Sequence, residues 1–119
     1  MGWWYWLQIK LESEMITVQG FQGLLNLHKT KPDDSAMGFF VDVDFENTRK
    51  KILSATYYLS ETREEDDKMD EQEDKYKSWL EYSTFLAIID NKLEHHPNAT
   101  NTELLDAIVY YLEEDDFLD

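Results

Sequence analysis

Apolar and polar residues alternate most regularly over residues 38–46, GFFVDVDFE. Phe39, Val41, Val43 and Phe45 fall on one side, and Phe40, Asp42, Asp44 and Glu46 on the other. A period of two in aromatic and β-branched residues predicts a strand with a dry face and an acidic face. Residues 3–11, WWYWLQIKL, predict another. Trp3, Tyr5, Leu7, Ile9 and Leu11 form a wholly apolar face, with Trp4, Trp6, Gln8 and Lys10 opposite. Residues 15–18 are a short β-prone piece. Gly20 and Gly23 around Phe21 predict a turn or bulge, and the run LLNLH (24–28) a further strand. Lys31-Pro32-Asp33-Asp34-Ser35 reads as a loop in which Pro32 presets a turn. Asn47-Thr48 is a turn signal. Residues 50–59 read either as the return strand of a hairpin or as a helix. The hairpin would set Arg49, Lys50 and Lys51 near Asp42, Asp44 and Glu46, where cross-strand pairs would help.

The period then changes. Residues 61–77, ETREEDDKMDEQEDKYK, hold nine acids and four bases, with only Met69 and Tyr76 apolar. This composition predicts a mobile acidic loop or a frayed helix. Residues 79–93 place Tyr82, Phe85, Leu86, Ile89 and Leu93 on one helical stripe, with Ser83 as the N-cap. Pro97, after His95-His96, stops that helix. Thr100 and Glu103 have capping-box spacing and open a second helix with Leu105, Ile108, Val109 and Leu112 on one face. Its end carries Glu113, Glu114, Asp115 and Asp116, which oppose the macrodipole and cost about a few tenths of a kcal/mol each. The expected fold is α+β, one domain over residues 1–119. It has an antiparallel sheet of three to five strands in the N-terminal half and two C-terminal α-helices packed on it.

Composition narrows the function classes. The 119 residues carry 26 acids against 11 bases, a formal charge of −15. Residues 1–60 contribute only −1 of this, and residues 61–119 contribute −14. Direct nucleic-acid binding of the usual basic kind is therefore not expected. The 17 aromatic residues are enough to build a core, unlike an acidic disordered polymer. No run of about 18 apolar residues predicts a membrane span. Met1-Gly2-Trp3-Trp4 lacks the basic start of a signal peptide, so a cytoplasmic location is expected. The absence of cysteine excludes disulfides, thiolate catalysis and Cys-ligated zinc.

No catalytic constellation stands out, and the chain is not expected to be an enzyme. His28, His95 and His96 lack metal-ligand spacing, so no metal is expected. Carboxylate pairs are inevitable among so many acids and do not define a glycosidase cleft. The acidic run 64–74 lacks the central glycine of a calcium loop. No phosphate-cradling glycine loop occurs, so no cofactor is expected. Asn98-Ala99-Thr100 is formally a glycosylation sequon but reads better as part of the helix cap. Trp4 and Trp6, set opposite Trp3, Tyr5 and Leu7, suggest either a covered sheet face or a contact with a partner or second copy. The acidic half repels itself and would be relieved by a basic ligand, which it would also steer. A nuclease cleft, built to hold phosphates, is the natural match.

Residues 79–119 pair an apolar helix, a His-Pro break, a short helix with Tyr-Tyr, and an acidic Asp-Asp-Phe ending. This stretch resembles small bacterial immunity proteins, in particular those of contact-dependent growth inhibition systems, over about a third of the chain. Immunity families share no single fold, so the resemblance bears on function. It implies an inhibitor that covers a cognate toxin domain, often a nuclease acting on tRNA or DNA. The toxin-binding candidates are the acids Asp66, Asp67, Asp70, Glu71, Glu113, Glu114, Asp115 and Asp116. The aromatic anchors are Tyr76, Tyr110, Tyr111 and Phe117, with core packing as the other role for each. The competing expectation is an acidic adaptor module, or a homodimeric regulator joined through the Trp4/Trp6 strand.

Overall fold

The computed structural model describes residues 15–118. The Trp3–Trp6 strand expectation lies outside them. Nine elements follow in order: β1 (Ile16–Gln19), α1 (Gly20–Thr30), β2 (Gly38–Asp42), α2 (Arg49–Ser54), β3 (Thr56–Ser60), α3 (Arg63–Asp70), β4 (Tyr76–Glu81), α4 (Tyr82–His95) and α5 (Asn101–Glu114). The strands form one antiparallel sheet in the order β1-β3-β2-β4. The α+β class and the antiparallel sheet are as expected, but the described residues hold five helices rather than two. The sheet also draws its last strand from the second half of the chain.

Several local expectations are corrected. LLNLH is helical. Leu24, Leu25 and Leu27 are buried at helical spacing in α1, and a short apolar run does not tell a strand from a buried helix. Gly20 opens that helix with φ +70°, and Gly23 lies within it, where a turn or bulge was expected. The strand over residues 38–46 stops at Asp42, and the Phe45 amide turns back onto the Asp42 carbonyl at 2.9 Å. Residues 50–59 are both alternatives in succession, a helix and then a strand. Arg49 therefore does not pair across a hairpin but with Asp106 of α5. Residues 61–77 hold α3 and the start of β4. Trp79 lies in a strand, the helix after it starts at Tyr82, and Ser83 is not its cap. The capping box is as expected: Glu103 N–H donates to Thr100 Oγ1 and Thr100 N–H donates to Glu103 Oε1. Beyond α5, Asp115 takes the left-handed conformation at φ 55°.

The acid-dense α3 forms because its ends are satisfied. Thr62 accepts from the Glu65 N–H at 3.2 Å, and Glu65 Oε1 accepts from the Glu61 N–H at 2.8 Å. Glu64, Glu65 and Asp66 sit in the first turn, where carboxylates complement the positive end of the macrodipole. Met69 is its one buried side chain.

The two faces of the sheet differ. Phe39 and Val41 of β2, and Tyr57 and Leu59 of β3, point into the main core. There they meet Leu24 and Leu25 of α1, Phe85 and Ile89 of α4, and Leu105 and Ile108 of α5. Phe39 is the centre of this core, with the rings of Tyr57, Trp79, Tyr82 and Phe85 at 6.2, 6.0, 5.6 and 5.3 Å, all edge-on. Phe40 and Met69 are also buried but lie outside this cluster, on the opposite face, which α3 covers in part.

Three substitutions test this account. A Cβ at Gly20 would lie 2.7 Å from the Leu53 carbonyl oxygen, at a positive φ. Gly20→Ala should therefore destabilise the fold by roughly 2 kcal/mol in urea unfolding; an unchanged midpoint would refute the tight seat of α1 on α2. Thr100→Ala should cost about 1 kcal/mol. The Thr100 amide, and next its hydroxyl, hold the Glu103 carboxyl below its usual range. That contribution is present above the unfolded carboxyl pKa and lost as pH falls through the folded one. Glu103→Gln should accordingly flatten the acid limb of the stability profile.

Candidate functional site

The alternation of β4 breaks at its middle. Gly38 pairs with Glu81, but Phe40 pairs with Ser78, so Trp79 and Leu80 together stand opposite the single residue Phe39. This is a β-bulge. Both Trp79 and Leu80 pack into the main core. Ser78 and Glu81, paired with Phe40 and Gly38, therefore belong to the other face.

The other face has a gap at this point. Gly38 contributes no side chain, and the bulge has turned both apolar side chains away. The gap is a groove of about 570 Å³. Residues 36–40 and, of the bulge itself, Trp79 and Leu80 border it. One wall is Asp66 and Asp70 of α3, and the other is Ser78, Glu81 and Ser83. Every charged residue in the lining is an acid.

Local bonds hold these walls in place. The buried Ser60 hydroxyl donates to Asp66 Oδ1 at 2.8 Å, with the Gly38 carbonyl oxygen 3.1 Å away, and so ties α3 to the sheet. The Met37 amide donates to the Ser60 carbonyl at 2.8 Å, and the Met37 carbonyl accepts from the Tyr82 amide at 3.2 Å. The Tyr82 hydroxyl donates to the Lys31 carbonyl, which anchors the loop that leads into the groove. Burial, then the negative charges of Asp33 and Glu61, push the Tyr82 hydroxyl up to about 12. Burial also raises Tyr57, whose hydroxyl donates to the Ile52 carbonyl at 2.7 Å.

The candidate residues read from the sequence do not form one surface. Asp66, Asp67 and Asp70 lie on α3, and Glu71 caps its C-terminus. Tyr76 starts β4 on the same face, where its ring meets Tyr58 at 5.0 Å and Tyr58 donates to Asp42 Oδ1 at 3.2 Å. Tyr110, Tyr111, Glu113 and Glu114 lie at the end of α5, followed by Asp115, Asp116 and Phe117. α5 packs on α4 in the main core, so the sheet stands between these two sets. Tyr111 packs against the core, and Phe117, 40% exposed, lies on it at 5.5 Å between rings. Both therefore stabilise the helix end in the fold itself.

Asp66, Asp67 and Asp70 have carboxylate oxygens within 4.8 Å of one another. Oxygens at that spacing could share a hard divalent cation if water supplied the remaining ligands. Exposed acids on successive helical turns show the same spacing without one. His28 approaches Asp90 at 2.7 Å and stands edge-on to Phe85. It borders a second cavity of about 170 Å³ between α1, α4 and α5. Neither a hydroxyl nor a thiol side chain lines that cavity, so the pair has no such nucleophile to activate there. His95 Nδ1 lies 2.9 Å from the Asn91 carbonyl oxygen. The residues missed by sequence reading are Gly38, Ser78, Glu81 and Ser83. Thr62 and Glu65, at the same spacing as Thr100 and Glu103, were the available signal for α3.

The chain belongs to the family described as Domain of unknown function (DUF7716), which it matches over residues 27–119. No curated protein matches the chain, and no solved structure does. The matched region contains β2, β3 and β4 with α3, and hence the whole groove. No helix among the described residues is long and apolar enough to cross a membrane.

The Tyr82 bond supplies a pH test. Its raised pKa favours the neutral hydroxyl in the fold, so its contribution is complete below about 10, the ordinary tyrosine value. It is lost as pH rises from there towards 12. Tyr82→Phe should lower stability at neutral pH by about 1 kcal/mol. It should also make alkaline unfolding less steep; equal alkaline profiles for the two proteins would show that Tyr82 does not drive it.

Proposed function

We propose that the protein is an acidic inhibitor of the immunity type. It binds and neutralises a basic toxin domain, a nuclease acting on tRNA or DNA, by laying carboxylates over the cleft that holds phosphates. The observation that carries this reading is the groove of about 570 Å³ beside α3, lined on both walls by acids and, among the described residues, by no base. Acids held at a partner surface steer a basic domain towards it and set the register of docking, while a few buried groups supply most of the affinity. Asp66, Asp67, Asp70, Glu71 and Tyr76 border one face and are assigned the primary contact. Glu113–Asp116, across the sheet, are assigned long-range attraction. The net charge of −15 supports this division, since field strength at a distance depends on the total.

The protein should be tagged, recovered at low salt from its native cells, and its companions identified by mass spectrometry. One stoichiometric basic domain is expected, active in tRNA or DNA cleavage alone and silent in the complex. Asp66→Lys with Asp70→Lys, checked for folding, should weaken that complex at least about tenfold, mainly through slower association. Recovery of the chain alone, or of many substoichiometric basic proteins, would overturn the toxin-neutralising role in favour of an oligomer or an adaptor.

A further inference from the structure

We infer that the groove over Gly38 is a seat for an arginine side chain carried on an exposed segment of the basic partner protein. This deepens the reading above and rests on it, because it names the group that the acidic face grips. Three carboxylates line the groove from two directions. Asp66 and Asp70 are four residues apart on α3, so they stand one above the other on a single helical face. Glu81 faces them from β4. A cation between these walls meets acceptors on both sides, and the Ser78 and Ser83 hydroxyls add two more. Apolar surface in the lining comes mainly from Met37, 36% exposed, since Phe40 and Ala36 beside it are nearly buried.

These features select among cations. A lysine ammonium is compact and strongly hydrated, and would keep its water. An arginine guanidinium is flat and weakly hydrated, and its five N–H donors spread in a plane. It can serve both acidic walls at once while its flat face meets the exposed Met37 side chain. Gly38 lines the recess without a side chain, and β4 approaches it so closely that a Cβ there would lie 3.3 Å from both Glu81 Cα and the Leu80 carbonyl oxygen. The charge of the lining accounts for a basic occupant, and three carboxylates and two hydroxyls spread around one recess beside Met37 account for a planar five-donor arginine rather than a compact lysine.

The test is an amide NMR titration of the full 15N-labelled chain with the capped pentapeptide acetyl-Ala-Val-Arg-Val-Ala-amide. Saturable shifts are expected at Gly38, Phe40, Asp66, Ser78 and Glu81, with a Kd on the order of 1 mM. The peptide with lysine in place of arginine should bind about threefold to fivefold more weakly, and the one with neutral citrulline should not saturate. Asp70→Asn with Glu81→Gln alters two exposed acids and should weaken arginine binding at least about tenfold. Ser83→Lys, at another exposed position, should block the groove with a base of its own, which keeps the test open if the double variant is unstable. Glu94→Gln, an exposed acid at the end of α4 that lies outside the groove lining, should change nothing. The inference is overturned by equal binding of the lysine peptide, by shifts centred on the end of α5, by binding that survives Ser83→Lys, or by no saturation at about 20 mM. A positive titration without any neutralised toxin leaves the arginine seat standing and refutes the inhibitor role. A neutralised toxin with a silent titration does the reverse.

Discussion

Most of what distinguishes the two faces of this sheet depends on one irregularity, the bulge that sets Trp79 and Leu80 opposite Phe39. A regular β4 would send one of these side chains to each face. The bulge sends both to the core, where Trp79 joins the aromatic contacts around Phe39 and its indole N–H donates to Asn47 Oδ1 at 2.8 Å. The core gains a large ring, and the other face loses a side chain. Gly38, directly across from the far end of the bulge, leaves that loss unfilled. A hydrophobic requirement on one side of the sheet has thus produced a polar recess on the other.

How much of this could be read from the chain follows from where local pattern and tertiary structure agree. β2 was legible because its alternation is strong, and α5 because Thr100 and Glu103 write its start in side-chain chemistry. α1 was not, because LLNLH is too short for a helical period to separate from a buried strand. β4 was hidden by its own bulge: two adjacent apolar residues end the period of two and look like the first turn of the helix that follows. α3 was obscured by charge, since a helix held by Met69, two terminal caps and one hydroxyl bond needs almost no apolar stripe. Of the groove, only Asp66 and Asp70 were among the candidates. The rest of it is made by the absence of a side chain at Gly38, and sequence patterns report side chains that are present.

The acidic half of the chain is built differently from its neutral first half. Its charge is concentrated on helices whose inner faces are committed to packing, α3 by Met69 and α5 by Leu104, Leu105 and Ile108. The outward acids contribute little to the fold and are free to vary in number without disturbing it. The few bases nearby are tied to the framework instead. Arg49 bridges α2 to Asp106, Lys31 reaches Glu61 at 3.3 Å, and Lys77 donates to the Phe45 carbonyl at 2.6 Å. Positive charge works within the structure here, and negative charge is left at the surface.

The crowding of six acids into the two turns over residues 64–71, around Met69, gives ionic strength two opposite effects on the same element. Added salt screens carboxylates from one another, so α3 lies more easily against the sheet and its protection from hydrogen exchange rises. The same screening weakens the pull of those carboxylates on a distant cation. The element is therefore firmest where it attracts least. In dilute buffer its own repulsion opposes that packing most, and a bound base replaces the salt by supplying the counter-charge in one fixed place.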